Sequence, residues 1–258
     1  MIILSPGQVH MWMTQPEAIQ DTSLLARYSE LLSSEEKEMR RRFHFEKDRK
    51  RYLCTRALVR SVLSEYAPVA PREWEFESNA FDKPEIRSTN RHIPPLRFNL
   101  THSDKLIACA VTLKNNIGVD IENTVRSADF LKIADRHFSP REIFDLNSIP
   151  VHQRETKFFE YWTLKEAYIK ACGKGLQIPL DVFTMDLTRQ DKVSITFNGR
   201  QEDDPNRWQF QLFHLHEDHY LSLALETPLP LAPDSVHLFE GIPLSEFSSA
   251  DCQLVRHS

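Results

Sequence analysis

The sequence predicts an α+β protein built of two similar halves in one chain. Three observations carry that prediction. Residues 158–176, FFEYWTLKEAYIKACGKGL, repeat aromatic and aliphatic residues at three- and four-residue spacing with no proline inside. That is a helix pattern, and Gly173 and Gly175 supply its stop. Residues 117–122, IGVDIE, alternate apolar and small or polar residues, which is a strand pattern. The second half also repeats the first in order. Ser139-Pro140-Arg141-Glu142 resembles Ser33-Ser34-Glu35-Glu36 as a helix start, Lys165–Lys170 lines up with Thr55–Arg60, and His102–Val111 lines up with His216–Leu225. This duplication places the halves near 1–115 and 116–226, with ligands expected in a cleft between them.

Composition bounds the function. A chain of 258 residues holds one large domain or two modest ones. With 41% hydrophobic and 27% charged residues it is ordinary for a soluble globular protein, and its net charge is −5. No apolar run approaches the ~20 residues of a membrane span, so no membrane partner is expected. The opening Met1-Ile2-Ile3-Leu4 is too short for a signal peptide and has no basic flank. Cys54, Cys109, Cys172 and Cys252 are widely spaced and form no CxxC pair. That argues against a zinc site and a disulfide scaffold and points to a reducing cytoplasm.

The elements follow in order. Met1–Thr14 holds short apolar runs and reads as a strand, and Leu24–Leu32 as a short amphipathic helix. Ser33 and Ser34 before Glu35, Glu36 and Lys37 mark a helix start with acids in its first turn. A long basic helical region from Glu35 to Tyr66 follows. Between Lys37 and Arg60 it carries ten Lys and Arg against three acids. Such a run is either a solvated face over buried Leu53, Leu58 and Leu63, or a surface for phosphate, nucleic acid or an acidic partner. Prolines then punctuate loops around a short strand, Glu73–Glu77, and Asp82-Lys83-Pro84-Glu85 is a turn. Leu96–Leu100 and Leu106–Leu113 read as a hairpin about the polar segment 101–105, and Asn115-Asn116 turns the chain into Ile117–Glu122.

On that strand Asp120 and Glu122 are two apart and share a face, while Val119 and Ile121 take the other. Two carboxylates on one face repel unless water, a proton or a cation intervenes. The face is therefore either exposed or a seat for a hard cation such as Mg²⁺. Glu166 and Lys170, four apart on the later helix, are by themselves a solvated ion pair.

Taken together the motifs carry a resemblance. Gly118-Val119-Asp120-Ile121-Glu122, with Trp162-Thr163-Leu164-Lys165-Glu166-Ala167-Tyr168-Ile169-Lys170 about forty residues later, resembles the paired signature of 4′-phosphopantetheinyl transferases of the Sfp type. Phe98-Asn99-Leu100-Thr101-His102-Ser103 is similar to that family's FNxSHS segment, with Thr101 for the first Ser. Lys83-Pro84 matches its KP turn, and Arg41-Arg42-Phe43 through Arg51, then Leu58-Val59-Arg60, resembles its first helix. The likeness runs to about Phe247. It implies the pseudo-twofold fold of that family, with a first half at 1–115, a second half at 116–247, and a tail at 248–258.

The resemblance implies transfer of phosphopantetheine from coenzyme A to a serine of an apo acyl or peptidyl carrier protein, leaving adenosine 3′,5′-bisphosphate. It implies Mg²⁺ or Mn²⁺ on Asp120, Glu122 and Glu166. Glu166, or a metal-bound water it orients, is the candidate base, and Lys170 the candidate group at the pyrophosphate, with His102 near a phosphate. Arg51, Lys83, Thr101, His102, Lys165 and Lys170 are the expected coenzyme A contacts, although Lys165 lies about 100° around the helix from Glu166 and could pair structurally. Where well-known members place lysines for the 3′-phosphate, this chain has Glu36 and Met39, and Tyr52 replaces a Thr. Lys37, Arg40 and Arg41 are the substitutes at hand. A monomer with no nucleic-acid partner is expected. Two other classes fit parts of the sequence. One is a non-catalytic module that binds nucleic acid or an acidic protein through residues 37–60. The other is a Mg²⁺-dependent phosphohydrolase.

Overall fold

The computed structural model describes residues 1–87, 93–124, 129–216 and 218–258. In chain order its elements are β1 (Val9–Thr14), α1 (Thr22–Leu31), α2 (Ser34–Arg42), α3 (Glu46–Ser64), β2 (Phe76–Ser78), β3 (Pro84–Ile86), β4 (Leu96–His102), β5 (Ile107–Leu113) and β6 (Ile117–Asn123). There follow α4 (Phe130–His137), α5 (Pro140–Ser148), α6 (Val151–Cys172), β7 (Phe183–Asp186), β8 (Ser194–Phe197), β9 (Trp208–Leu215), β10 (His219–Glu226), β11 (Val236–Gly241), β12 (Phe247–Ser249) and β13 (Gln253–His257). No described helix is long and apolar enough to cross a membrane.

The chain divides into two compact units. The first contains Met1–Glu77, Pro84–Lys114 and Asp234–Ala250. Its sheet runs β12-β11-β1-β5-β4, with β5 antiparallel to both β1 and β4 and β11 parallel to β1. Its core joins Trp12, Tyr28, Leu53, Leu58, Phe98 and Val111 from that sheet, α1 and α3. The basic helical region forms two helices rather than one. Ser33 and Glu36 close a capping box at the start of α2, and Arg40, Arg41 and Arg42 sit in its last turn, where the helix dipole favours cations. Phe43 then leaves the helical conformation and sets its ring 5.5 Å from Tyr52 on α3.

The second unit contains Ser78–Lys83, Asn115–Pro233 and Asp251–Ser258. Its sheet runs β13-β9-β10-β6, all antiparallel, with α6 packed on one face. Phe158, Tyr161, Leu164, Tyr168, Phe183 and Phe210 fill that core. Helix α6 begins earlier than the expected residue 158, after Pro150 in the N-cap position, and stops at Gly173, whose φ of 70° is open to glycine at little cost.

The expected duplication is visible in the connectivity. Strand, long helix and hairpin follow one another as β1-α3-β4-β5 and as β6-α6-β9-β10, and the sheet orders β1-β5-β4 and β6-β10-β9 match. Glu217, in the second aligned hairpin, lies outside the described residues. The boundaries differ from those expected. Residues 78–83 group with the second unit and 234–250 with the first. The expected tail is no appendage, because its end forms β13 beside β9 and Arg256 Nε donates to Glu160 on α6 at 3.1 Å.

Candidate active site

The site in the second unit starts from a glycine. A Cβ on Gly118 would collide with the carbonyl oxygen of Ala167 and the amide nitrogen of Ala171, so the backbone of α6 lies directly on β6 there. Side chains of a strand alternate, so Asp120 and Glu122 share the face of Gly118. The same contact holds α6 against them. Asp120 is only 5% exposed, which rules out a solvated strand face. Lys170 Nζ donates to Asp120 Oδ1 at 2.6 Å, so its hydrogen bond crosses to the strand.

Glu166 lies within electrostatic reach of both strand carboxylates. Burial pushes its pKa up to about 7, Asp120 and Glu122 push in the same direction, and Lys170 opposes them. The fold thus brings Glu166 and Lys170 of α6 to the strand that carries Asp120 and Glu122. Among the described residues no three His, Cys, Asp or Glu side chains are close enough to ligate one ion together, and Asp120 is bound to Lys170.

Two pockets lie among the described residues of the first unit. Arg51, Tyr52, Thr55, Phe43, Leu100 and His102 are among the residues lining one. Arg51 is steadied there by Asp48 at 2.7 Å, and Asp104 lies 3.9 Å away. The other is lined by Lys37, Arg40, Arg41, Arg49 and Ser29, so all three substitute phosphate ligands line one concavity. Arg40 Nη1 donates to Ser29 Oγ at 3.2 Å.

Comparison with known proteins matches most of the chain. Residues 116–224 match the family model of the 4′-phosphopantetheinyl transferase superfamily, and residues 18–114 match that of the 4′-phosphopantetheinyl transferase N-terminal region. The 4′-phosphopantetheinyl transferase HetI of Nostoc sp. strain PCC 7120 is 38% identical over 178 residues, which cover 68% of this chain and 73% of that protein. The chain belongs to the 4′-phosphopantetheinyl transferase family. Sfp of Bacillus subtilis strain 168, also a 4′-phosphopantetheinyl transferase, is 36% identical over 169 residues, covering 66% of this chain and 72% of Sfp. For a member of this transferase family, the reading as a non-catalytic binding module has no support.

Within this transferase the structure corrects several expected roles. Lys165 is fully enclosed. Its Nζ donates to Glu142 Oε1 at 2.7 Å and to the Phe183 carbonyl at 2.8 Å, and it lies 4.2 Å from the Phe183 ring centre. An ammonium sealed in this way does not reach coenzyme A. Lys83, another expected phosphate contact, donates to the carbonyls of Ile117, Lys170 and Ala171 at 3.0, 2.8 and 3.5 Å. Thr101 is buried and alternates away from Leu100 and His102, which line the pocket without it. In the basic region, Arg60 is 3% exposed and donates to Glu36 at 2.7 Å and to the Trp74 carbonyl at 2.5 Å, so it is no carrier-protein surface. Glu36 is held by Arg60 and lies 3.4 Å from Arg56 Nε.

Sequence reasoning missed Glu142 and Gly118 as site residues. Glu142 was legible only as the acid of a helix cap, whereas its second oxygen accepts from Lys165 and from the Met185 amide. Gly118 had a signal, since glycine inside a strand marks close approach of another backbone. Lys165→Met leaves Glu142 buried without its cation, and breaking such a pair costs about 3–5 kcal/mol. Chemical denaturation should register that loss. Wild-type stability with weakened coenzyme A binding would return Lys165 to the ligand set.

Proposed function

We propose that this transferase moves 4′-phosphopantetheine from coenzyme A to a serine hydroxyl of an apo acyl or peptidyl carrier protein, giving holo carrier protein and adenosine 3′,5′-bisphosphate. The observation that carries the proposal is Glu166 on α6 facing Asp120 and Glu122 of β6, its carboxyl pushed up to about 7 by burial and those two acids, with Lys170 bonded to Asp120. Three carboxylates share this half-buried place with the Lys170 ammonium. Their oxygens are the donor type of a hard divalent cation, Mg²⁺ or Mn²⁺, although with Lys170 on Asp120 the three carboxylates do not stand close enough to share one ion. Asp120, Glu122 and Glu166 would hold it, and when bound it would neutralise the pyrophosphate and stabilise charge at the reacting phosphorus.

The rest falls to the chain's own side chains. The serine oxygen attacks the phosphorus nearer pantetheine. The bond from that phosphorus to the bridging oxygen breaks, and adenosine bisphosphate leaves with the electron pair. The serine proton passes to Glu166, the carboxylate that α6 presents beside Asp120 and Glu122. Lys170 offsets charge on the departing group. Arg51 and His102 hold a coenzyme A phosphate in their shared pocket, and Lys37, Arg40 and Arg41 take the 3′-phosphate. The protein acts in the cytoplasm as a monomer, because the duplication supplies both halves from one chain.

Incubation with coenzyme A, Mg²⁺ and a panel of apo carrier proteins, followed by intact-mass spectrometry, tests the proposal. The expected result is a phosphopantetheine adduct that disappears with a chelator. No adduct on any fatty-acid, polyketide or peptide-synthetase carrier overturns it. Adenosine bisphosphate released without an adduct favours the phosphohydrolase reading instead.

A further inference from the structure

The turn Asn79–Lys83 comes from the first half of the sequence but groups with the second unit. There it meets the last turn of α6. The final carbonyls of a helix have no partner within it and are left to caps or solvent. Here a separate segment supplies the partners. Lys83 Nζ reaches the carbonyls of Lys170 and Ala171 in α6 and that of Ile117 at the start of β6. An ammonium offers three donors, and all three of these carbonyls lie within its reach. It also lies where the helix dipole favours positive charge. Asn79 does the rest. Its Nδ2 donates to the Gly173 carbonyl at 3.0 Å, while its Oδ1 accepts from the amides of Phe81 at 2.8 Å and Lys83 at 3.0 Å. The turn closes on itself when the Asn79 amide donates to the Lys83 carbonyl at 2.9 Å, and Asp82 takes a φ of 62°.

Ile117 opens the strand that carries Asp120 and Glu122. Lys170 O belongs to the residue bonded to Asp120, one turn beyond Glu166. One ammonium therefore ties both elements that bear the carboxylates, at the end where they meet. We infer that Lys83, held by Asn79, is a positioning residue that sets the spacing of the carboxylates on β6 and α6, and not a coenzyme A ligand. The inference rests on the metal reading of that cluster.

Lys83→Met removes the ammonium and keeps the stem. Mn²⁺ affinity of the coenzyme A-free protein, read by electron paramagnetic resonance, should weaken by about 10-fold or more, as losing a group that orients ligands does. kcat should fall with it, while the coenzyme A dissociation constant from calorimetry stays within about twofold of wild type. Asn79→Ala should give the same signature in smaller measure, and it keeps the test open should Lys83→Met fail to fold. The inference is overturned if Lys83→Met weakens coenzyme A with Mn²⁺ affinity unchanged and Asn79→Ala is silent, which is the behaviour of a phosphate ligand. Should wild-type protein bind no Mn²⁺ and modify no carrier, the proposed function fails. Amide exchange then decides the clamp alone. Faster exchange at 117–120 and 170–173 in Lys83→Met supports it, and unchanged exchange overturns it.

Discussion

Glu166→Gln is expected to leave a folded protein that transfers phosphopantetheine at least about 10³-fold more slowly than wild type, a loss of ~4 kcal/mol at the transition state. The amide keeps the shape of the side chain but neither takes a proton nor supplies charge to a cation. Its effect on stability runs the other way. The carboxyl stands at about 7 in the folded chain against an ordinary 4.5. A carboxyl raised on folding contributes stability in full below its unfolded pKa, and that contribution is lost as pH rises through the folded one. Metal-free wild type should therefore lose stability between pH 5 and 8, by roughly 3 kcal/mol from this one group. Glu166→Gln should lack that component of the slope, and added Mg²⁺ should return stability to wild type alone. Urea denaturation of both proteins at the two pH values reads the difference. Parallel profiles would remove the charge cluster from the argument, and wild-type turnover in the variant would remove Glu166 from the chemistry.

Gly118→Ala is expected to be the most damaging single methyl in the second unit. The new Cβ meets backbone atoms of Ala167 and Ala171, which cannot turn aside as a flexible side chain can. Helix α6 must lift from β6, and overpacking against such an obstacle costs about 3 kcal/mol or more. The lift also carries Glu166 and Lys170 away from Asp120 and Glu122. Whatever fraction folds should thus bind Mn²⁺ more weakly and transfer more slowly. Denaturation midpoint and Mn²⁺ binding measure the two effects separately. A variant as stable and as active as wild type would show that the strand and helix are not held by this contact.

Much of the plan was legible in the residues. Period-two alternation in 117–122 and the helical spacing of 158–172 marked the two elements that carry the carboxylates. The capping residues Ser33 and Ser139 marked two helix starts, and the ordered likeness of the halves marked the duplication. Such features lie in local chain chemistry, where neighbours within a turn or a strand decide the outcome. Lysine was read least well. Lys83, Lys165 and Lys170 are chemically alike in sequence, and each was expected at coenzyme A. Only burial and partners separate them. Lys165 is sealed on Glu142, Lys83 closes on carbonyls, and Lys170 stays partly open beside Asp120.

By itself the sequence determined the α+β class, the repeat, the family signature and the pair of strand carboxylates, because each follows from local periodicity or from a motif of fixed spacing. Tertiary structure decided which charges are sealed on partners and which stay partly open. A carboxylate or an ammonium takes its role from what surrounds it at a few ångströms, and those neighbours come from distant parts of the chain. Asp120 and Lys170 are fifty residues apart and Asn79 and Gly173 ninety-four, yet these pairs, with the bare backbone of Gly118 under α6, place the candidate chemistry.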